Sequence, residues 1–481
     1  MQIDNFEPRK VFHYFSEISK IPHCSGNTEK IAQYCLDFAR DHGLFAYRDD
    51  SGNVMIFKNA APGYEKSEPV ILQGHLDMVC EKIADSPYDM QKDPVNIIID
   101  GDYLRADGTT LGGDDGIAVA YILAILSSDD IAHPPIEALL TTDEEVGLRG
   151  ANNLDASHLK GKKLINIDSE EEGKLTVSCA GAVRADCAIP IDLTKIDGLS
   201  AKKVTLGGLL GGHSGIDIDK CRKNAVKTLA HLLYDLNRSV GINIADISSG
   251  GRLNVIPSRA EALICFKSSD KARVEEITAA FDKELKKDSL ATEPDAFVMC
   301  EDAAAPCDAA DDESTKRIVF ALLNTFDGVY GMSPTVKGLV QTSSNMGSVL
   351  VEGDTLKIGL MIRSNTAAGK RAVVKTLKSL YEYLGGSVNL LDDYPAWEYR
   401  NDSPLRDTMV MAYREMYGEL PEICAIHAGL ECGILSGKLG GADMVSIGPD
   451  MENVHTVDER LSIKSTRRVW QYLLKVLEML K

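Results

Sequence analysis

The sequence of 481 residues lacks features that would assign it to several large classes of protein. Its longest apolar stretch, near Ile117–Leu126, is well short of the roughly 20 residues that a helix needs to span a bilayer. Its first residues show no basic region followed by an apolar run, so we predict no signal peptide. Basic residues are outnumbered, 52 Lys and Arg against 72 Asp and Glu, and the formal net charge is −20. Because an acidic surface repels phosphate and anionic lipid, we predict no nucleic-acid partner and no membrane partner.

The sequence also lacks any cysteine pattern. None of its 11 cysteines belongs to a Cys-x-x-Cys pair. A disulfide-stapled scaffold is small and dense in cysteine, and this chain is neither. We therefore predict reduced, mostly buried thiols in a cytoplasmic protein.

The order of apolar segments predicts the fold class. Single hydrophobic cores stop growing at about 250–300 residues, so a chain of this length is expected to form more than one domain. Strands are predicted at Val54–Lys58, Val70–Gln73, Ile136–Thr142 and Lys163–Asp168, and a buried helix at Ile117–Leu126. Strands that alternate with helices indicate an α/β domain with a mostly parallel central sheet flanked by helices.

The middle of the chain has a different character. Its long strands and amphipathic helices are typical of an α+β domain, and the α/β pattern returns after about Tyr394. We therefore predict an α/β domain formed by residues 1–186 and 392–481, interrupted by an inserted α+β domain at 187–391. The last helix is predicted to begin near Val457, where Thr456 and Glu459 have the spacing of a capping box.

Polar residues that could carry chemistry follow several predicted strands. His75 and Asp77 are two residues apart in a strand, so they point to the same side. Other acids and one histidine follow apolar segments in the same way: Asp114 and Asp115, Glu144 and Glu145, Asp168, and His455. Each group alone has an ordinary interpretation as a surface loop, a helix cap or a solvated turn.

Together these residues have the composition of a two-metal hydrolytic site. Two cations about 3.5–4 Å apart polarise a carbonyl and lower the pKa of a water molecule. Histidine and carboxylate ligands suit zinc, with cobalt and manganese as alternatives, and we predict two divalent metal ions per chain. A carboxylate that binds no metal would serve as the general base.

Several motifs resemble the M20 family of di-zinc metallopeptidases. They are Gly74–Asp77, Leu111–Gly116, Thr142–Gly147, Asn166–Gly173 and His455. Within that family, Gly211–Gly215 and Ile426–Gly433 are similar to the aminoacyl-histidine dipeptidase subgroup. The resemblance runs from about His23 to Arg460, which is nearly the whole chain.

The resemblance implies a role for each residue of the predicted metal site. His75, Asp114 and Asp168 would hold one ion, and Asp114, Glu145 and His455 the other. Asp77 would orient His75, and Glu144 would take a proton from the attacking water and deliver it to the leaving amine. The family usually has Asn at the position of Asp115. Which of the two adjacent aspartates bridges the ions therefore stays open: Asp114 is chosen by its place in the motif, and helix capping is the candidate role of Asp115.

In this family the inserted domain is a lid that contributes to substrate binding. The resemblance implies that His213, in a glycine-rich turn, stabilises the oxyanion of the tetrahedral intermediate. Arg363 ends an apolar strand and could grip a terminal carboxylate, with a structural salt bridge as the alternative. Asn254 could donate to the same carboxylate. For His427 and Glu431 no role is derived, and hydrogen bonding in the core is an equal alternative.

These observations predict a cytoplasmic metallo-dipeptidase. It would hydrolyse unblocked dipeptides, with those that end in histidine as one candidate class. The alternatives are a carboxypeptidase, a tripeptidase or an N-acyl amino acid deacylase on the same scaffold. A non-catalytic metal-binding protein is a remote alternative, since no EF-hand loop is present. Smaller lids of the family often dimerise, whereas a larger lid could serve a monomer by mimicking a second copy; of the two states we predict a homodimer.

Overall fold

The structure, a computed structural model, describes residues 3–481, which form two compact units. The first unit comprises the described residues up to Ser178 together with Tyr399–Ala425 and Leu430–Lys481; the second comprises Cys179–Glu398 and Ile426–Gly429. The predicted boundaries at 186/187 and 391/392 fall inside two strands of the second unit, Gly181–Pro190 and Ser387–Tyr394. The change in sequence character therefore comes after the second unit has begun and before it ends.

The helices and strands of the described residues are given in chain order. The α-helices are α1 (Arg9–Ile18), α2 (Glu29–Asp41), α3 (Gly113–Leu126), α4 (Arg149–Asn153), α5 (Ala225–Val240), α6 (Lys271–Ser289), α7 (Asp312–Asn324), α8 (Ala367–Tyr383), α9 (Pro404–Tyr417), α10 (Glu431–Lys438) and α11 (Ile463–Met479). The strands are β1 (Phe45–Arg48), β2 (Val54–Lys58), β3 (Val70–His75), β4 (Ile97–Asp100), β5 (Tyr103–Ala106), β6 (Ile136–Thr141), β7 (Lys163–Asn166), β8 (Lys174–Cys179), β9 (Gly181–Pro190), β10 (Leu193–Lys195), β11 (Leu199–Gly207), β12 (Gly212–His213), β13 (Asn243–Gly250), β14 (Val255–Ile256), β15 (Ala260–Lys267), β16 (Phe297–Ala303), β17 (Asp308–Ala310), β18 (Gly328–Met332), β19 (Val340–Glu352), β20 (Thr355–Ser364), β21 (Ser387–Tyr394), β22 (Glu422–Ile426), β23 (Asp443–Ser446), β24 (Met451–Glu452) and β25 (Arg460–Ser462).

The first unit is built on an eight-stranded sheet in the order β1-β2-β6-β3-β7-β23-β8-β22. Its centre is parallel, because β6, β3, β7 and β23 run in the same direction. The neighbouring pairs β1–β2, β2–β6 and β23–β8 are antiparallel. The predicted α/β class with a mostly parallel central sheet is confirmed. Since parallel strands end at one edge, their last residues are brought together there.

Helix α3 packs against the central strand β3 because the strand has a glycine at the point of contact. A Cβ atom on Gly74 would lie 2.6 Å from Cβ of Ala118 and 2.7 Å from Oδ2 of Asp115. All residues of α3 are buried, which confirms the predicted buried helix and extends it to Gly113. The close approach places the first turn of α3 beside the end of β3.

The second unit is an α+β structure on an antiparallel sheet. Its strands follow the order β16-β11-β15-β13-β19-β20-β9-β21, with β18 paired to β19. Helices α5, α6 and α8 contact this sheet. The register sets Ser343 of β19 opposite Arg363 near the end of β20. Because β20 pairs with β19 on one side and β9 on the other, Arg363 lies on an inner strand of the sheet and not on an edge strand.

The last helix starts later than predicted. Helix α11 begins at Ile463, and its N-cap is Ser462, whose hydroxyl accepts from the backbone N–H of Ser465. Thr456 and Glu459 belong to a turn before the helix, and the side chain of Glu459 binds the backbone of the loop before Asp114. Among residues 3–481 there is no helix whose length and apolar content would let it cross a membrane.

The prediction that the thiols are reduced is wrong for two cysteines, because Cys24 and Cys80 form a disulfide. They are 56 positions apart, so their pairing has no local signal in the sequence. The fold brings them together because the segment after α1 runs beside the segment after β3, where Ser25 N–H donates to the carbonyl of Met78 at 3.2 Å. Cys35 and Cys187 are buried thiols, as predicted.

Candidate metal centre

The five predicted metal ligands come together at the carboxyl edge of the parallel strands. Asp114, in the first turn of α3, lies between two histidines. Its Oδ1 is 3.1 Å from Nε2 of His75, the last residue of β3. Its Oδ2 is 3.1 Å from Nε2 of His455, in the turn between β24 and β25. Each oxygen of this carboxylate therefore faces a different imidazole.

Each histidine also faces an acid of its own. Oδ1 of Asp168, which follows β7, is 3.6 Å from Nε2 of His75. Oε1 of Glu145, in the turn after β6, is 2.6 Å from Nε2 of His455. We call His75, Asp114, Glu145, Asp168 and His455 the acidic cluster. It consists of two histidine–carboxylate sets that share Asp114.

The acidic cluster has donors that fit divalent metal ions. Ligand atoms of His75, Asp114 and Glu145 lie within 4.8 Å of one another, and so do those of His75, Asp115 and Asp168. Imidazole nitrogen and carboxylate oxygen are ligands of zinc, cobalt and manganese. Within residues 3–481, the ion pairs of these acids are made with histidine and not with Lys or Arg. Buried carboxylates without such a partner favour a bound cation.

The pKa shifts in and beside the acidic cluster also favour a bound cation. Burial raises the pKa of Asp168 to about 6. Burial, with the carboxylates of Asp168 and Glu431 nearby, raises the pKa of Glu144 well above its usual range. Hydrogen bonds with Asp114 and Glu145 raise the pKa of His455 to about 11. Asp168 and Glu144 resist ionisation, whereas His455, which is hydrogen-bonded to Asp114 and Glu145, is held in its charged form.

His455 sits in an unusual backbone conformation. Its φ is 63° and that of Asn453 is 54°, both in the left-handed region. A residue with a Cβ pays about 1–2 kcal/mol to adopt it. The turn is closed by the hydroxyl of Thr456, which donates to the carbonyl of Asn453 at 2.7 Å. Strain of this kind, kept by the surrounding structure, is common at functional sites.

Asp77 holds the turn that carries the two adjacent glutamates. Its carboxylate accepts the backbone N–H of Glu144 at 2.9 Å and of Glu145 at 3.3 Å, and the hydroxyl of Ser25 at 2.8 Å. Nδ1 of His75 is 2.9 Å from the carbonyl of Asp77 and 3.5 Å from its carboxylate. Asp77 thus contacts the histidine, as the resemblance implies, and also links β3 to the turn after β6.

Asp115 does not cap helix α3, so that candidate role is wrong. Its side chain is buried, and Oδ2 accepts the backbone N–H of His75 at 3.1 Å, while Oδ1 has no partner. Its backbone is not helical, with φ −119° and ψ 28°. Asp115 accepts from the backbone at the end of β3 and lies within 4.8 Å of ligand atoms of His75 and Asp168, whereas Asp114 is the one whose two oxygens face the two histidines.

Sequence reasoning missed the role of one buried glutamate, Glu459, and left that of another, Glu431, open. The spacing of Glu459 from Thr456 predicts a capping box, yet its carboxylate binds the loop before Asp114. Glu431 accepts from Gln73 Nε2 and from the Thr141 hydroxyl, each at 2.6 Å, which supports the alternative of hydrogen bonding in the core. A buried carboxylate whose partners come from distant segments has no local signature in the sequence.

A second polar cluster lies in the second unit, around Arg363. Arg363 is 6% exposed, its Nη1 lies 3.3 Å from the Tyr394 hydroxyl, and its Nε has no partner. Among residues 3–481 no carboxylate pairs with it, so the alternative of a structural salt bridge is wrong. A buried cation without an acid favours an anionic ligand. We call Arg363, His213 and His427 the Arg363 cluster.

The two histidines of the Arg363 cluster are held neutral. Burial and the charge of Arg363 lower the pKa of His213, and lower that of His427 to about 3. Nδ1 of His213 accepts the backbone N–H groups of Gly215 and Ile216, each at 3.2 Å. The ring proton of His213 is therefore assigned to Nε2, which becomes a donor.

The remaining predicted residues of the second unit are placed as follows. His427 is engaged at both nitrogens, by Ser343 Oγ at 2.7 Å and Asn365 Oδ1 at 3.1 Å, as the core alternative predicts. Asn254 has an exposed side chain, and its carbonyl accepts from Ser214 N–H at 2.8 Å. This bond places Asn254 beside the glycine-rich turn that carries His213.

A comparison with known families decides the family. The sequence model of the peptidase family M20/M25/M40 matches residues 71–479. The chain belongs to this family. The predicted resemblance is thereby confirmed.

Individual relatives are similar over their whole length. The cytosol non-specific dipeptidase of Escherichia coli K12 is 36% identical over 479 residues, 99% of each chain. The crystal structure of aminoacylhistidine dipeptidase from Vibrio alginolyticus is 35% identical, with a TM-score of 0.92 over 99% of this chain and 98% of that one. The aminopeptidase PepT of Bacillus cereus is 15% identical with a TM-score of 0.58 over 99% of both chains, which shows a shared fold.

Proposed function

We propose that the protein is a metal-dependent dipeptidase that hydrolyses unblocked dipeptides. Its family is a peptidase family, and two relatives that match it over nearly their full length are named dipeptidases. The observation that carries the proposal is Asp114, whose carboxylate lies between two histidines that each face a further acid. This arrangement favours two cations that share one carboxylate.

We infer that each chain binds two divalent metal ions. Zinc is the proposed metal, with cobalt and manganese as alternatives. His75, Asp114 and Asp168 would hold one ion, and Asp114, Glu145 and His455 the other. When bound, such ions polarise the peptide carbonyl and lower the pKa of water. Asp77 would fix the two sets of metal ligands relative to each other, because it contacts His75 of one set and the backbone of Glu145 of the other.

Glu144 is the proposed general base. Its backbone is held by Asp77, and its side chain pairs with no Lys or Arg among residues 3–481. Its raised pKa suits a group that takes a proton from the attacking water, keeps it, and gives it to the leaving amine. Neighbouring Glu145 faces His455 instead, so the two glutamates have different surroundings and are proposed to have different tasks.

The Arg363 cluster supports recognition of a free carboxylate. Arg363 is buried, charged and without an acid, so we propose that it binds the C-terminal carboxylate of the peptide, with Asn254 as a further donor. His213 is proposed to donate from Nε2 to the oxygen that becomes negative in the tetrahedral intermediate. A neutral imidazole suits this role because its donor nitrogen keeps its proton throughout.

The remaining proposals concern the cell and the assembly. The substrate is a small peptide, and the name of the E. coli relative supports a cytoplasmic location. A homodimer is proposed, and light scattering coupled to gel filtration tests it: a mass near 104 kDa, about twice the 52.3 kDa of one chain, is expected, and the mass of a single chain would contradict it.

A substrate panel tests the proposed function. The protein is assayed with β-Ala-His, Gly-His, Leu-Gly, a tripeptide and an N-acetyl amino acid, each with added zinc, cobalt or manganese. We expect hydrolysis of the unblocked dipeptides, and its loss after treatment with a chelator. Hydrolysis of only the tripeptide or only the N-acetyl amino acid would contradict the dipeptidase proposal and favour one of its alternatives.

A further inference from the structure

The buried carboxylate of Glu459 binds four successive backbone N–H groups. Oε2 accepts from Leu111 at 2.7 Å and from Gly112 at 3.1 Å. Oε1 accepts from Gly113 at 2.7 Å and from Asp114 at 3.4 Å. Glu459 is 2% exposed. Its whole hydrogen-bonding capacity is used by the loop that leads into Asp114.

This loop needs an acceptor that its own residues do not supply. The first N–H groups of a helix have no partner inside the helix, and α3 has no side-chain cap at its start. A Cβ atom on Gly113 would lie 3.2 Å from Oε1 of Glu459, so the glycine permits the close approach. Glu459, near the other end of the chain, therefore supplies the acceptor that a capping side chain next to the helix usually supplies.

Glu459 and His455 belong to the same short turn. The backbone N–H of Glu459 donates to the carbonyl of Thr456 at 3.2 Å, which closes the turn behind the histidine. One segment therefore presents His455 to Oδ2 of Asp114 and also holds the backbone of Asp114. The distance between this aspartate and this histidine is set from both sides by the same turn.

We infer that Glu459 is a positioning residue for the metal centre: by gripping residues 111–114, it fixes Asp114 relative to His455. The inference rests on the proposed function, since it concerns the affinity of that site for its ions. Both oxygens of Glu459 accept only from backbone N–H groups, so its role is assigned through Asp114 and not as a metal ligand. Residues that support metal ligands in this way typically contribute about 10–100-fold in metal affinity or activity.

The chain offers a matched control in Glu137. It is 5% exposed, and its carboxylate also accepts backbone N–H groups, from Lys160 at 2.9 Å and Gly161 at 2.9 Å. It lies near the start of β6, whereas the acidic cluster lies beyond the end of that strand. Glu137→Gln therefore disturbs a similar buried carboxylate–backbone contact in the same unit without touching the loop of Asp114.

The experiment compares Glu459→Gln, Glu137→Gln and wild type. Zinc affinity is measured by competition with a chromophoric chelator, cobalt coordination by visible absorption, and kcat and KM with the best dipeptide of the panel. We expect Glu459→Gln to weaken metal binding by about 10–100-fold, to change the cobalt spectrum and to lower kcat with little change in KM. Excess metal should restore part of the activity. Glu137→Gln should match wild type in metal affinity and spectrum.

The outcomes separate this inference from the proposed function. If wild type binds metal and hydrolyses dipeptides while Glu459→Gln binds metal as tightly as Glu137→Gln, the inference alone is overturned. If wild type binds no metal after reconstitution, the proposed function is overturned and the inference with it. If Glu459→Gln does not fold, Glu459→Asp makes the same test, because a side chain shorter by one methylene keeps the charge but moves the carboxylate away from the four N–H groups. Unchanged metal affinity in Glu459→Asp would then overturn the inference.

Discussion

Each of the two units contains a polar cluster. The cluster of the first unit lacks a Lys or Arg partner for its acids, and the cluster of the second unit lacks an acid for its arginine. The acidic cluster of the first unit gathers Asp114, Glu145 and Asp168 with no Lys or Arg among their ion-pair partners in residues 3–481. The cluster of the second unit buries Arg363 with no acid in the described part of the chain. In water neither arrangement would be costly, but burial makes each one expensive.

The difference indicates what each unit is built to receive. A group of crowded carboxylates with two histidines is completed by cations, whereas a buried guanidinium among neutral histidines is completed by an anion. In the proposed function, the C-terminal carboxylate of a peptide substrate would be that anion, and divalent metal ions would be the cations. The same comparison assigns changes in metal binding to the first unit and changes in substrate affinity to the second.

The largest expected effect comes from Glu144→Gln in the first unit. Loss of a general base typically slows a reaction by about 10²–10⁴-fold, and kcat should fall by that amount or more while metal content stays the same. Glu145→Gln is the matched variant: it removes the partner of His455, so it should lower both activity and metal content. The two variants are compared by steady-state kinetics and elemental analysis. An active Glu144→Gln, or one that loses metal, would contradict the division of tasks between the glutamates.

Arg363→Met in the second unit should act on substrate affinity alone. A hydrogen bond to a charged group contributes about 1.5–3 kcal/mol, so kcat/KM should fall by about 10–100-fold, mainly through KM, with two metals retained. Stability should not fall, because the variant removes a buried charge that is paired with no acid. Arg184→Met is the control, since Arg184 pairs with Asp186 in the same sheet. An unchanged KM for Arg363→Met, or an equal loss of kcat/KM in Arg184→Met, would contradict the proposal that Arg363 binds the anionic group of the substrate.

The smallest expected effect on activity, and the clearest on stability, concerns the disulfide of the first unit. Removing a disulfide that closes a long loop typically costs about 2–4 kcal/mol of stability. Reductant should therefore lower the Tm of wild type and leave that of Cys24→Ser/Cys80→Ser unchanged. Cys221→Ser, at an exposed cysteine of the second unit, serves as the control.

A count of reactive thiols tests the disulfide directly. Alkylation of the unfolded, unreduced protein should modify 9 of the 11 cysteines, and all of them after reduction. Modification of all 11 without reductant would show that Cys24 and Cys80 are not joined, and the initial prediction of reduced thiols would stand.

Local pattern was enough to predict the framework of the first unit. Strand Val54–Lys58 has the predicted bounds, and helix α3 and strands β3, β6 and β7 differ from prediction by a few terminal residues. Apolar runs of this kind are buried in any α/β fold, so their strands are readable from sequence. His75, Glu145 and Asp168 lie at or just after the ends of the parallel strands β3, β6 and β7. Asp114 lies in the first turn of α3 and His455 in a turn of another sheet, so these two were predictable only through motifs that resemble those of the family.

The features that were missed depend on contacts between distant parts of the chain. The carboxylate of Glu459 reaches a loop more than 300 positions away, and Cys24 pairs with Cys80 across the end of β3. Asp115 resembles a helix cap in sequence, but the position of β3 directs it to the backbone of His75. In each case the partner is set by the fold and not by neighbouring residues.

The measurement that tests the central claim most directly is the number of metal ions bound per chain. The protein is stripped with a chelator, reconstituted with zinc, separated from free metal and analysed for zinc and protein. If the histidine–carboxylate sets that share Asp114 each hold one ion, about two zinc ions per chain are expected, as in other two-metal sites. Asp114→Asn should lower that number, because it weakens both sets. A wild-type protein that binds no zinc, or an Asp114→Asn variant that still binds two, would contradict the account.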